Sequence, residues 1–306
     1  MNKNRVHIEV IVVALAVVIT LLSFAPRNSS GQSRRPRSKS PVKPTGMVKN
    51  STTTSNANAS LAMVAAAERN KILRNELHWT FGGKPQRGWY LYNLLITQTI
   101  RTDDDAVSSD FAAALGVWQK KTGLSPSGVL DDETLLAMVT QWQNNRLKNR
   151  NPATPDQLLT APSSDFYDPE REVELRQVER NTYAAYKRMV AAAIADPTLK
   201  LPSTPSGELA PAEKYFKIIS AFRTPEYQER LRRGSPNAGR AGLAVNSPHF
   251  TGRALDIYVG GDPVDTKDFN RALQVNTPAY KWLARNAERF GFRPYFYEPW
   301  HWEYTK

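Results

Sequence analysis

The 306 residues, 41% of them hydrophobic, suffice for one or two domains with a real core, and the absence of cysteine excludes disulfides, thiolate zinc knuckles, a cysteine nucleophile and a lipidated cysteine anchor. Net charge is +12, but residues 1–50 carry nine Lys or Arg against Glu9 alone, so this tail supplies +8 and the remainder +4. Such a tail attracts anionic lipid or an anionic wall polymer through unspecific electrostatics, and a nucleic-acid partner is not expected.

Residues 10–25, "VIVVALAVVITLLSFA", form an apolar run behind Lys3 and Arg5. This is the pattern of a signal peptide or a short membrane anchor over 1–25. Pro26 is an awkward residue directly after Ser23 and Ala25, which favours a retained anchor over a cleaved signal. Either way the remainder is expected to be extracytoplasmic, in the periplasm or cell wall. Residues 26–67 read as a flexible basic tether, because Ser, Thr, Asn, Pro and Arg cannot offset the entropy of ordering; helical composition sets in near Leu61.

A helical module is expected over 68–150. Asp110 can cap "FAAALGVWQKKTG", Gly123 can end it, and Asp131 or Asp132 can cap "ETLLAMVTQW". The connecting "GLSPSGVLDDETL" resembles the signature loop of the small three-helix peptidoglycan-binding module, with Leu130 and Asp131 standing where those modules usually have a glycine. Residues 151–165 carry three prolines and read as a linker. Beyond it, 169–195 reads as one long amphipathic helix with Tyr183, Tyr186, Met189, Val190 and Ile194 on its buried stripe, and "AYKWLARNAERFG" as a last helix closed by Gly291.

The chemistry gathers in 166–306. In "SPHFTGRALDIYV", residues 247–259, a strand would turn Leu255, Ile257 and Val259 to the core and Asp256 to the opposite face. His249 lies seven residues earlier, beyond a turn at Gly252. The closing "YEPWHWEY" adds His301, so that His249, Asp256 and His301 offer two nitrogens and one oxygen, a catalytic zinc shell with a fourth position for water. Glu298, not needed as a ligand, is placed to accept a proton from that water, and Pro299 permits the break that lets both side chains approach one metal.

These residues resemble the VanY-type D-alanyl-D-alanine carboxypeptidases, in the wider group of lysostaphin-like peptidases and the hedgehog domain. The likeness rests on "SPHFTGRALDI", "EPWHWEY" and "SAFRTPEYQ", residues 220–228, and covers about 170–306. A departure is Pro248, where relatives commonly carry an acid. The resemblance implies His249, Asp256 and His301 as Zn2+ ligands and Glu298 as general base. Arg223 would bind the substrate's terminal carboxylate or the developing oxyanion, and Ser247 would orient the His249 loop with the substrate within its reach. The expected fold is α+β, a small antiparallel sheet carrying the zinc and packed with helices, behind an all-α three-helix module. The expected activity is removal of terminal D-alanine from peptidoglycan stem peptides. The alternatives are an endopeptidase with the same zinc site, or a non-catalytic wall-binding protein with a structural zinc.

Overall fold

The computed structural model describes residues 51–234 and 246–306. The expected anchor and the first part of the tether lie outside them, as does most of the loop ahead of Ser247. Helix α1 (Ser51–Glu76) begins earlier than Leu61, so residues 51–67, expected in the tether, are helical. Once a helix is nucleated each added residue gains a bond for one residue fixed, and here Ala66 and Ala67 are buried as well.

Strands β1 (His78–Phe81) and β2 (Lys84–Arg87) form a hairpin before α2 (Asn93–Ile100), α3 (Ser109–Lys121) and α4 (Asp132–Asn144). Four helices and a hairpin thus replace the expected all-α three-helix module. The cause is Gly82-Gly83, both at positive φ (58° and 74°), the conformation of a two-residue type I′ turn. The loop from α3 to α4 is pinned by buried amides. Asn70 of α1 donates to the Gly128 carbonyl (2.9 Å) and accepts from the Leu130 amide (2.7 Å), while Gln119 of α3 accepts from the Gly128 amide (2.9 Å). Gly128 has φ +69°, and a Cβ there would lie 2.7 Å from the Ala112 carbonyl oxygen. Leu130 is fully buried, so the residue that departs from the wall-binding pattern serves as core.

Residues 151–165 are not a free linker. Strand β3 (Leu158–Thr160) pairs with β4 (Gln177–Glu179), and Leu158 and Val178 are buried. The Glu179 carboxylate accepts from the amides of Asn181 (3.1 Å) and Thr182 (2.8 Å) and so caps α5 (Arg180–Ile194). The long helix expected from 169 therefore starts at Arg180, because a strand and its capping acid occupy the preceding residues.

The main sheet is antiparallel, in the order β5 (Ile218–Ser220), β6 (Ala254–Ile257), β8 (Glu298–Tyr304), β7 (Phe292–Tyr295). One face carries Leu255, Ile257 and Trp302 into a core with Tyr186, Met189 and Val190 of α5. Large apolar side chains buried in this way contribute about 1.5–3 kcal/mol each. Helices α6 (Pro225–Gly234), α7 (Asp268–Asn276) and α8 (Pro278–Asn286) complete the described α-helices. The β7–β8 turn does not stay with its sheet: Tyr295, Phe296 and Tyr297 enter the core of the helical part, where the Phe296 ring lies 4.7 Å from Phe81 and 5.3 Å from Tyr92.

Candidate metal centre

The register of the sheet builds the site. Ser220 pairs with Asp256 and Asp256 with His301, which places three polar side chains in one row across β5, β6 and β8, on the face opposite Leu255 and Trp302. His249 arrives from a 3-10 turn, Pro248–Thr251, closed by Gly252 at φ +65°. A Cβ on Gly252 would meet the Glu179 amide at 2.9 Å, so glycine allows the turn to seat against β4. Ligand atoms of His249, Asp256 and His301 all lie within 4.8 Å of one another, and the three residues are buried.

The hydrogen bonds decide which atoms face the centre. His249 Nδ1 lies 2.6 Å from the Ala221 carbonyl and must donate to it, which leaves Nε2 as a lone pair 3.3 Å from Asp256 Oδ2. Burial and the Arg223 charge lower the His249 pKa to about 4, so at neutral pH two acceptors face each other with no proton between them. Arg223 Nη2, 2.9 Å from the same Asp256 Oδ2, offsets part of that repulsion, and the two lone pairs together with His301 make a donor set that fits a divalent metal. His301 Nδ1 lies 2.9 Å from Asp256 Oδ1 and its Nε2 3.2 Å from Glu303 Oε1. Burial alone would depress His301, but its bonds to Asp256 and Glu303 outweigh that and raise it to about 9. Burial likewise opposes ionisation of Asp256, yet His249 and His301 hold its carboxyl far below the usual range.

Glu298 stands apart from these pairings. It is buried, its Oε1 has no hydrogen-bond partner among the described residues, and desolvation lifts its pKa to about 7. The strand is irregular where it must be: Pro294 pairs with Trp302 but Tyr295 already with Glu298, so β8 bulges between Glu298 and Trp302. Glu298 lies within electrostatic range of His301 and Asp256.

Both expected substrate contacts are enclosed. Arg223 is buried and its fork is divided, with Nε donating to Ser220 Oγ (3.0 Å) and Nη2 to Asp256 Oδ2 (2.9 Å). Among the described residues Nη1 alone of its nitrogens has no partner, so Arg223 offers one arm and not the paired geometry of a carboxylate clamp. Ser247 is fully buried and its Oγ accepts from the His249 amide (3.3 Å), which gives it the orienting role and no open face toward a substrate.

Residues outside the sequence motifs join the site. Residues 166–171 run beside β5, with a parallel bridge from Phe166 to Ile218 and the Tyr167 amide donating to the Ile218 carbonyl (2.9 Å). This brings the Tyr167 ring to 4.6 Å from Tyr258, two residues beyond Asp256, and sets the half-buried Arg171 within electrostatic range of Arg223 and Asp256. Glu303 shares the face of His301 by the two-residue period of a strand, a signal present in "HWEY". A separate cleft of about 450 Å³ between α2, α4 and β7, lined by Arg101, Trp142 and Trp302, does not include the Asp256–His301 row.

Two histidines and a carboxylate turned toward one point form a group able to hold a metal ion on the small antiparallel sheet, with Glu298, whose Oε1 has no partner among the described residues, beside them. Residues 207–306 match the VanY family model, described as D-alanyl-D-alanine carboxypeptidase. The likeness is to a peptidoglycan-hydrolase family of carboxypeptidase type, and it spans about a third of the chain. No curated protein matches the chain. The matched segment holds Arg223, His249, Asp256, Glu298 and His301, and excludes Arg146 and Arg171.

Proposed function

We propose that the chain is a zinc-dependent D,D-carboxypeptidase that removes the terminal D-alanine from peptidoglycan stem peptides. The observation that carries this reading is the facing pair of acceptors, His249 Nε2 and Asp256 Oδ2, 3.3 Å apart in a buried cluster that lies inside the VanY match. A zinc ion held by His249, Asp256 and His301 would polarise the scissile carbonyl and acidify the attacking water. Glu298 accepts a proton from water as the oxygen adds to the carbonyl carbon, and returns it to the D-alanine nitrogen as the C–N bond breaks. Its lifted pKa suits both transfers near neutrality. The free Nη1 of Arg223 supports the carbonyl oxygen as it gains charge. The terminal carboxylate of the substrate falls to Arg171, whose Nε is held by the Leu175 carbonyl (3.0 Å).

Peptidoglycan lies outside the cytoplasmic membrane, so this function requires export, with residues 1–25 as anchor or signal and the basic tether against anionic wall or lipid. The helical part, by its likeness to wall-binding modules, would hold the enzyme on its polymer. The test is mass spectrometry of defined muropeptides incubated with the chain and zinc. Loss of one alanine from a D-alanyl-D-alanine terminus, and not from its C-terminal amide, supports the reading. Equal cleavage of acid and amide, or cleavage within the stem, replaces it with an endopeptidase.

A further inference from the structure

His301 is held on the side away from Asp256 by a buried chain of contacts that begins in the helical part. Its Nε2 lies 3.2 Å from Glu303 Oε1. The same Oε1 accepts from Arg146 Nε (3.1 Å) and Nη2 (2.5 Å), and Glu303 Oε2 accepts from the Leu147 amide (2.8 Å). Arg146, just beyond α4, is fixed in turn by Gln143 Oε1 (3.2 Å from Nη1) and by the Tyr295 ring, 3.9 Å beneath its guanidinium. Glu303 is fully buried. We infer that Arg146 and Glu303 are positioning residues for the metal: Glu303 fixes the ring of His301 so that Nδ1 faces Asp256, and Arg146 aims Glu303.

The geometry admits one ring orientation. A neutral imidazole that donates from Nε2 to Glu303 presents its lone pair at Nδ1, the atom 2.9 Å from Asp256. Without the Glu303 acceptor the ring has no reason to prefer that face, and metal binding must then supply the ordering. Carboxylates behind ligating histidines act in this way, and their loss typically weakens metal binding by about 10–100-fold. The helical part is thereby built into the centre at both ends of β8, through Arg146 behind His301 and through Phe296, packed on Phe81, just ahead of Glu298. It cannot be removed as a detachable module without loosening the ligand.

This inference rests on the metal reading of His249, Asp256 and His301, and its test separates the two. Zinc dissociation constants of the full chain are measured by chelator competition for the wild type, His301→Ala, Arg146→Lys and the double variant Arg146→Leu/Glu303→Leu. Replacing a buried ion pair by apolar residues is often neutral for folding, so the double variant tests the acceptor without leaving a buried charge unpaired. The expected result is a cooperative metal-free unfolding transition with zinc affinity about 10–100-fold weaker. Arg146→Lys should fall between, since a lysine keeps the charge but cannot reproduce the Nε and Nη2 pair. Should the double variant not fold, Glu303→Gln, which keeps the shape and removes the charge, is measured instead and should also bind zinc more weakly. Wild-type affinity in a folded variant, with His301→Ala weakened, overturns the positioning role alone. Wild-type affinity in His301→Ala overturns the metal assignment and this inference with it.

Discussion

Replacing Glu298 by glutamine should stabilise the metal-free chain at neutral and alkaline pH while abolishing turnover. The carboxyl is fully enclosed, its Oε1 has no partner, and burial raises its pKa from an ordinary 4.5 to about 7. One pKa unit corresponds to ~1.4 kcal/mol, so the rise amounts to roughly 3 kcal/mol of cost for holding the bare carboxylate in the fold. The sign follows from proton counts. Below about 4.5 the group is protonated in both states and costs nothing extra. Between 4.5 and 7 the folded chain holds the proton and the unfolded chain releases it, so stability falls as pH rises, and above 7 the loss is complete. Glutamine has the shape of the neutral acid and no such term. Urea unfolding with chelator present should therefore show the two proteins about equal near pH 4.5 and the variant ahead by about 3 kcal/mol at pH 8. Zinc should shrink the gap, because a nearby cation favours the carboxylate. Turnover should fall by about 10²–10⁴-fold. A stability difference that does not change between pH 5 and 8 would refute the assignment of Glu298 as an unpaired buried acid.

Metal uptake should depend on pH through His301. Its pKa of about 9 means that a proton must leave on binding at neutral pH, whereas His249 is already neutral and Asp256 already ionised. Calorimetry in buffers of different ionisation heat should show between one and two protons released per zinc at pH 7, one from His301 and a fraction from Glu298, with affinity rising roughly tenfold per pH unit between 7 and 9; pH-independent affinity would contradict the pairing. Arg171→Ala should raise KM for a free-acid peptide with little change in kcat, whereas Arg223→Lys should lower kcat on that peptide, since it disturbs the bonds to Ser220 and Asp256 together. Asn70→Ala should cost about 2–3 kcal/mol in denaturant unfolding, because it strands the buried Gly128 carbonyl and Leu130 amide.

The alternation of "ALDIYV" made Asp256 legible as a site residue, since a strand buried on one face sends every second side chain to the other. The same rule, applied to "HWEY", pairs Glu303 with His301, but only the cross-strand register shows that both point inward. Arg146 was not legible at all. It lies 157 residues from Glu303, and no local pattern marks which of many basic residues meets a buried acid. The hairpin at Gly82-Gly83 carried a readable turn signal that helical composition on both sides masked. Arg180 as the start of α5 depended on Glu179 being both strand end and cap, two roles that periodicity alone does not separate. The ligands and Glu303 lay in motifs, whereas Arg146, which aims Glu303, came from the packing of a distant element.

Three buried carboxylates share this site, and partners, not burial, set their tasks. Asp256 meets His249, His301 and Arg223, so it is an anion at any physiological pH and suits a cation. Glu303 meets Arg146 as well as His301; these outweigh its burial and hold its carboxyl far below the usual range, so it is a fixed acceptor and not a proton carrier. Glu298, as deeply enclosed, has an oxygen with no partner and a pKa near neutrality. Carboxyls of one type pushed apart by their surroundings mark the division of acid–base labour in a site. The bulge in β8 produces that division here: it withdraws Glu298 from the regular pairing that puts Glu303 in register with Ala254, and so spares one acid from neutralisation. A substitution that straightened the bulge, Pro299→Val for instance, should shift Glu298 relative to the row and lower kcat, with zinc affinity reduced far less because His301 keeps its pairing with Asp256. A variant with unchanged kcat would show that the bulge does not set the position of the base.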